Sequence, residues 1–226
     1  MVSTSPASPV GAGRVPTVLL TGFEPFGGEA LNPSWLAART LDGRRVAGHA
    51  IVAAQLPTVF GRSLEVLADL LERHRPILAV CTGQAGGRAA LSLERVAINI
   101  NDARIADNAL AQPVDTPVIA QGPAAYFSTV PIKAMLAALE REGIRGEVSQ
   151  TAGTFVCNHV FYGLMHLLAT RPGFAGTRGG LIHVPWLPEQ GQPSMALDDI
   201  ARGLEVAIHC ALTTGHDIRK QAGALN

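Results

Sequence analysis

Thr151-Ala-Gly-Thr-Phe-Val-Cys157-Asn-His-Val-Phe-Tyr-Gly-Leu-Met-His-Leu-Leu168 reads as a short apolar strand that gives way, at its cysteine, to an amphipathic helix. The run Gly180-Leu-Ile-His-Val184 follows as a strand buried on both faces. The same alternation extends toward both termini. Residues 17–21 (TVLLT) form a continuously apolar strand ended by Gly22, and residues 33–41 a helix with Asn32 as N-cap and Pro33 at its first position. Residues 50–56 read as a strand. Residues 61–74 read as a helix, with Leu64, Leu67, Leu70 and Leu71 on one face. Further strands are expected over 77–81, 91–100 and 147–149, and helices over 131–142, 158–169 and 195–212, with a loop over 82–90. Strands alternating with helices predict an α/β fold, a three-layer α/β/α sandwich around a mainly parallel, mixed sheet. In such sheets sites form beyond the carboxyl ends of the strands, here after Gly22, Gly83 and Val184 and at the Cys157 turn.

The 226 residues, 47% of them hydrophobic, suffice for one core, and residues 16–214 are read as a single domain. Residues 1–15, rich in Ser, Ala, Pro and Gly, are expected to be a disordered N-terminal tail without the pattern of a signal peptide. Residues 215–226 are expected to be a C-terminal tail. Eighteen basic residues balance eighteen acidic ones, so no basic stripe supports nucleic-acid binding, and no apolar run reaches the roughly 20 residues of a membrane span. Cys81, Cys157 and Cys210 are far apart and form no metal-ligand pattern, so neither metal nor cofactor is expected, and a reducing, cytoplasmic setting fits.

A helix N-terminus presents unpaired N–H groups and partial positive charge, which favour a thiolate and an oxyanion. Cys157 sits at such a place. A thiol nucleophile also needs a base, and the base an orienting group. Among seven histidines, His183 lies at the site end of a buried strand, while His159 is too near Cys157 along one helix to face it. Glu94, within the apolar stretch Ser92-Leu-Glu-Arg-Val96, is the candidate orienter. The residues alone leave each assignment open: Cys157 as an inert buried thiol, and Glu94 as a partner of Arg95 or on a strand face open to water.

Several longer motifs narrow these choices. They are Thr21-Gly-Phe-Glu-Pro-Phe-Gly-Gly28 with Asn32-Pro33, Gly83-Gln-Ala-Gly-Gly-Arg88, Glu94-Arg-Val-Ala-Ile-Asn99, Asp102-Ala-Arg104 with Asp107-Asn108, and Gly122-Pro-Ala-Ala-Tyr-Phe-Ser-Thr129. Thr151-Ala-Gly-Thr-Phe-Val-Cys-Asn158 and His183-Val-Pro-Trp-Leu-Pro-Glu-Gln190 complete the set. In these the chain resembles pyroglutamyl peptidase type I, cytosolic cysteine peptidases that remove an N-terminal pyroglutamyl residue. The resemblance runs from about Val18 to Leu212. It implies a catalytic triad of Glu94, Cys157 and His183, and a substrate pocket with Phe23, Phe26, Phe155 and Val156. It also sets Gln84 and Arg104 at the border of the site, Arg104 near the oxyanion. Peptides beginning with pyroglutamate are the implied partners, and a homo-oligomer, commonly a tetramer, the implied assembly.

Simpler readings stand beside these. Phe23 and Phe26 could anchor their loop in the core, the Gly83–Arg88 loop could bind an anion, and Arg104 could be a surface charge. The rival functions are another small-acyl amide hydrolase using the same triad, and a non-catalytic α/β ligand-binding domain.

Overall fold

The computed structural model of the chain describes residues 15–223. Apart from Val15, the tail expected over 1–15 lies outside the described residues, as do the last three residues of the C-terminal tail. Among the described residues nine strands and five α-helices follow in order: β1 (Thr17–Phe23), α1 (Pro33–Thr40), β2 (Arg45–Val46), β3 (His49–Leu56), α2 (Arg62–His74), β4 (Leu78–Gln84), β5 (Leu91–Glu94) and β6 (Val96–Ile98). Then come β7 (Ala125–Phe127), α3 (Ile132–Arg141), β8 (Gly146–Ser149), α4 (Val156–Thr170), β9 (Arg178–Val184) and α5 (Leu197–Thr213). Seven strands form one mixed sheet in the order β2-β3-β1-β4-β9-β5-β8. The pairs β3–β1, β1–β4, β4–β9 and β5–β8 are parallel, while β2–β3 and β5–β9 are antiparallel.

Alternate residues of each strand face opposite layers. Val18, Leu20, Leu78, Val80, Leu91, Leu93, Ile182 and Val184 pack with α1, α3 and α5 in one cluster. Leu19, Phe23, Ala79, Cys81 and Leu181 pack with α2 and α4 in the other. Helices therefore cover both faces, which makes the three layers. Asn32 caps α1 as its sequence predicts, its side chain accepting from the Ser34 N–H at 3.0 Å.

Four local expectations are corrected. The strand expected over 91–100 breaks at Arg95: β5 stays in the main sheet, while β6 pairs with β7 in a separate two-stranded sheet. No strand runs directly into Cys157. Residues 151–155 form a loop in which Gly153 takes φ 74°, a left-handed turn that a strand excludes, and Thr154 is tied by its hydroxyl to the Asp102 carbonyl. The helix after it is buried on nearly all sides over its first ten residues rather than amphipathic, because α2, the sheet and the β6–β7 pair enclose it. Finally, β4 runs to Gln84, so Gly83 belongs to a strand rather than to a loop.

The C-terminal segment is fixed where it is described. Asp217 accepts from the backbone N–H groups of Lys133 and Ala134 and so caps α3, whose own N-cap, Pro131, offers no side-chain acceptor. No helix among the described residues is long and apolar enough to cross a membrane.

Candidate active site

On the α4 side of the sheet, period-two alternation puts Cys81 and Gly83 of β4, Leu181 and His183 of β9, and Ser92 and Glu94 of β5 on one face. In register, Gly83 lies beside His183, and His183 opposite Ser92. Glu94 is thus a diagonal neighbour of His183, and its Oε1 lies 2.8 Å from His183 Nδ1. The other edge of the imidazole faces Cys157: Sγ and His183 Nε2 both lie over Gly83, 2.7 Å and 3.3 Å from where a Cβ on that residue would stand. Burial works against the charged ring, but the bonds and charges of Cys157 and Glu94 outweigh it and raise the His183 pKa to about 9.

Cys157 is the second residue of α4. Phe155, at the N-cap, has no side-chain acceptor, and the first backbone bond of the turn is His159 N–H to Phe155 C=O at 3.1 Å. The N–H groups of Val156, Cys157 and Asn158 therefore have no carbonyl within the helix, and their dipoles converge beside the sulfur. Asn158, fully buried, accepts from the Ile98 N–H at 3.0 Å and donates to the Ile98 and Ile100 carbonyls. Those three bonds staple the first turn of α4 to the end of β6 and the residues just after it.

Gly83 makes the constellation possible. A Cβ there would stand 2.7 Å from Cys157 Sγ, closer than real side chains come, and a tight 3.1 Å from His183 Cδ2. Only hydrogen leaves room for sulfur and imidazole over that strand. Cys81, two residues earlier on the same face, is fully buried, and burial pushes its thiol up to about 12. It is an inert neighbour.

The simpler readings of Glu94 are overturned. It is 0% exposed, and Arg95 instead points to Gln150 Oε1 at 2.8 Å. The cation that does meet Glu94 is Arg88, whose Nη1 donates to Oε1 at 2.7 Å. Arg88 also donates to the Thr151 carbonyl at 3.1 Å, so its guanidinium is committed within the protein rather than open to an anion.

The expected pocket residues separate into two groups. Phe23 is 1% exposed, packed with Leu19, Leu56 and Ala97 in the core, and offers no open face. Val156 is fully buried as well. Phe26 and Phe155 are half-buried with ring centroids 5.7 Å apart, and Phe60 meets Phe155 edge-on at 5.5 Å. The loops behind this aromatic patch are tied down by acids. Glu24 accepts from the Thr58 N–H and Asn108 Nδ2, and Asp107 from the Phe60, Ala109 and Ala111 N–H groups. Gln84, at the end of β4, accepts from Gln190 Nε2 at 3.1 Å, which leaves its own amide donors uncommitted. Arg104 is exposed and has no hydrogen bond or ion pair among the described residues. Among the described residues, no group of three or more His, Cys, Asp or Glu side chains could hold a metal ion.

Gly83, Arg88 and Asn158 were read from sequence only as members of their motifs, without roles of their own, and Phe60 was not read at all. Gly83 carried a signal: it lies two residues from Cys81 on a strand, where period two sets both on one face.

The profile of a family described as pyroglutamyl peptidase matches residues 16–214. A pyrrolidone-carboxylate peptidase of Cupriavidus taiwanensis is 60% identical over 218 residues, which cover 94% of this chain and all of that one. A crystal structure of pyroglutamyl peptidase I from Bacillus amyloliquefaciens superposes with a TM-score of 0.89 at 47% identity, over 92% of this chain and all of that one. A variant of pyrrolidone carboxyl peptidase from Pyrococcus furiosus superposes at 0.84 with 41% identity, over 87% and 98% of the two chains.

Proposed function

The chain belongs to the pyroglutamyl peptidase family, and on that premise we propose that Cys157, His183 and Glu94 are its catalytic triad. It is a cysteine peptidase that removes N-terminal pyroglutamate from peptides. The observation that carries the triad is the Glu94 Oε1–His183 Nδ1 bond at 2.8 Å, with the other edge of the ring beside a thiol seated on an uncapped helix N-terminus.

At neutral pH His183 holds its proton and faces Cys157 as an imidazolium, the partner that favours a thiolate. The sulfur attacks the carbonyl joining pyroglutamate to the next residue. The carbonyl oxygen takes up negative charge beside the free N–H groups of the first α4 turn, each such donor being worth about 3 kcal/mol. His183 gives its proton to the departing amine, then takes one from the water that hydrolyses the thioester. Glu94 holds Nδ1, so that Nε2 is the nitrogen that works on the substrate.

Pyroglutamate is a neutral lactam without a free ammonium group, so an apolar slot suits it better than a carboxylate that captures an amine. Phe26 and Phe155 are proposed as the walls of that slot. Phe23 and Val156 pack behind them, and the free amide donors of Gln84 are proposed to meet the lactam carbonyl. A lactam group buried without a partner would lose about 1 to 3 kcal/mol. Arg104, exposed and uncommitted, is proposed to border the oxyanion. Residues 16–214 are proposed as one catalytic domain. Family membership also supports a cytoplasmic homo-oligomer, a tetramer by resemblance.

The test is hydrolysis of a pyroglutamyl amide reporter by Cys157→Ser, with prolyl and glutaminyl reporters alongside. The variant should unfold at the wild-type temperature and lose more than about 1000-fold in kcat. Substantial residual turnover would remove Cys157 from the mechanism, and equal turnover of the three reporters would remove the lactam pocket.

A further inference from the structure

Glu94 is held by two donors on one oxygen. Oε1 accepts from Arg88 Nη1 at 2.7 Å and meets His183 Nδ1 at 2.8 Å, while Oε2, equally buried, has no partner. A fully buried carboxylate is costly unless it is paired, and here all of the pairing falls on that single atom. The two donors differ in kind. His183 gains and loses its charge within each turnover, whereas a guanidinium keeps its charge at any working pH.

The rest of the Arg88 side chain reaches toward the nucleophile. Nη2 donates to the Thr151 carbonyl at 3.1 Å, and Nη1 lies 3.4 Å from Ser149 Oγ, which itself donates to Thr151 O. Thr151 opens the loop that enters α4 at Val156. The segment carrying Arg88 is anchored as well, since Ala85 N–H donates to the Val184 carbonyl, next in chain to His183. One guanidinium thus touches the strand of the orienting acid and the loop leading to the nucleophile, and its own loop is tied to the strand of the base.

Resting on the triad assignment above, we propose that Arg88 is a positioning residue that acts through Glu94. It supplies the constant counter-charge that keeps the carboxylate aimed at His183 when the imidazole has given up its proton. It also fixes the entry loop of α4 relative to β5. Without it, the imidazole alone would compensate Glu94, and the neutral ring formed after proton transfer would leave a buried charge with no cationic partner. The other groups around His183 and Glu94 are Cys157 from α4, Ser149 from β8, Ser92 from β5 with Glu147 bonded to its hydroxyl at 2.6 Å, and buried Cys81 from β4. None of these is a second cation, so the loss of Arg88 has no ready replacement.

The test is steady-state hydrolysis of the pyroglutamyl reporter across pH by Arg88→Gln and Arg88→Lys, with Cys157→Ala as the control. Arg88→Gln should lose roughly tenfold or more in kcat with KM within about twofold, as expected for a group that acts on the triad rather than on the substrate. Its alkaline limb should move to higher pH, because the imidazolium would no longer share the carboxylate with another cation. Arg88→Lys should restore the limb and part of kcat. The Arg88 side chain is 27% exposed, so free guanidinium below denaturing concentration should reach the gap and partly rescue Arg88→Gln. Rescue also serves if the Gln variant folds poorly, since Arg88→Lys and the guanidinium response can be read on the folded fraction. An inactive Cys157→Ala beside Gln and Lys variants with equal kcat and an unmoved limb would overturn the role of Arg88 alone. An active Cys157→Ala would overturn the triad beneath it.

Discussion

The two faces of the central sheet are built from the same strands and are chemically unlike. Toward α1, α3 and α5 the strands present Val18, Leu20, Val80, Leu93, Ile182 and Val184, and the helices answer with Ile200, Leu204, Ala207 and Ile208. Toward α4 the neighbouring positions carry Cys81, Gly83, Ser92, Glu94 and His183, and the helix answers with Cys157, while Asn158 and His159 turn aside to Ile98 and Ile100 and to Gly61 and Asn101. One face excludes water with hydrocarbon. The other, beside the hydrocarbon of Leu19, Ala79 and Leu181, also buries thiols, a carboxylate and an imidazole, and must pair the charged groups among them. A one-residue step along any strand exchanges the two environments, so stability and chemistry can be altered separately by choosing odd or even positions.

Gly83→Ala should break the polar face most sharply. One methyl group there would meet Cys157 Sγ at 2.7 Å, with the backbone of β4 held on both sides by β1 and β9. The sulfur, at the first turn of a helix stapled by Asn158, must move or rotate. A displacement of order 1 Å in a reacting atom costs about 100-fold, and kcat/KM for the pyroglutamyl reporter should fall by at least that much. The melting temperature should change far less. Near-normal activity in this variant would mean that Cys157 either is not confined by β4 or does not carry the reaction.

Much of this asymmetry was legible in the sequence. The runs at residues 17–21, 77–81 and 180–184 became β1, β4 and β9, because continuous apolar stretches suit strands covered on both sides. His183 and Glu94 were found as polar residues inside such runs, and Cys157 as a thiol at a helix start. The break at Arg95 was hidden, since Leu91-Ser-Leu-Glu-Arg-Val-Ala-Ile keeps its alternation while the chain leaves one sheet for another. The break is marked by tertiary bonds, Arg95 N–H to Ser149 C=O and Ser128 N–H to Arg95 C=O, which no local pattern records. β7 is three residues long and largely exposed, with no apolar period to reveal it. Arg88 and Gly83 escaped for a similar reason. A guanidinium in a glycine-rich loop resembles any solvated arginine until Glu94 is set beside it. Phe23 and Phe26, three residues apart in one motif, differ in that the core takes the Phe23 ring while the Phe26 ring stays half-buried against Phe155.

Leu204→Ala tests the hydrocarbon face. Leu204 is fully buried on α5, on the far side of the sheet from Cys157, and its loss should leave a cavity costing about 2 to 5 kcal/mol in urea unfolding. The folded fraction should keep the wild-type kcat and KM. A parallel loss of kcat at temperatures where the variant is fully folded would mean that the two faces are coupled through the sheet, and the separation drawn between them would fail.

The smallest effect distinguishes two histidines on the polar face. His159 lies between Gly61, whose N–H donates to Nε2 at 3.0 Å, and Asn101, whose Oδ1 lies 2.9 Å from Nδ1. Both nitrogens are satisfied by a neutral ring with its proton on Nδ1, and burial lowers its pKa to about 4. A group whose folded pKa lies below its unfolded value of 6.5 adds stability above pH 6.5. That stability is lost as the pH falls toward 4, to a total of about 3 kcal/mol. His183 has the opposite sign. Its raised pKa adds stability that is complete below 6.5 and is lost as the pH rises through about 9. Between pH 7 and pH 5 His159 should therefore weaken the fold by about 2 kcal/mol while His183, whose stabilisation is incomplete at pH 7, adds about 1 kcal/mol, so the His159 part is read as the difference between wild type and His159→Gln in urea titrations. His159→Gln, which cannot be protonated, should remove that slope at some cost in baseline stability. An unchanged acid slope in His159→Gln would assign it to the carboxylates, leaving the polar face no more acid-sensitive than the apolar one.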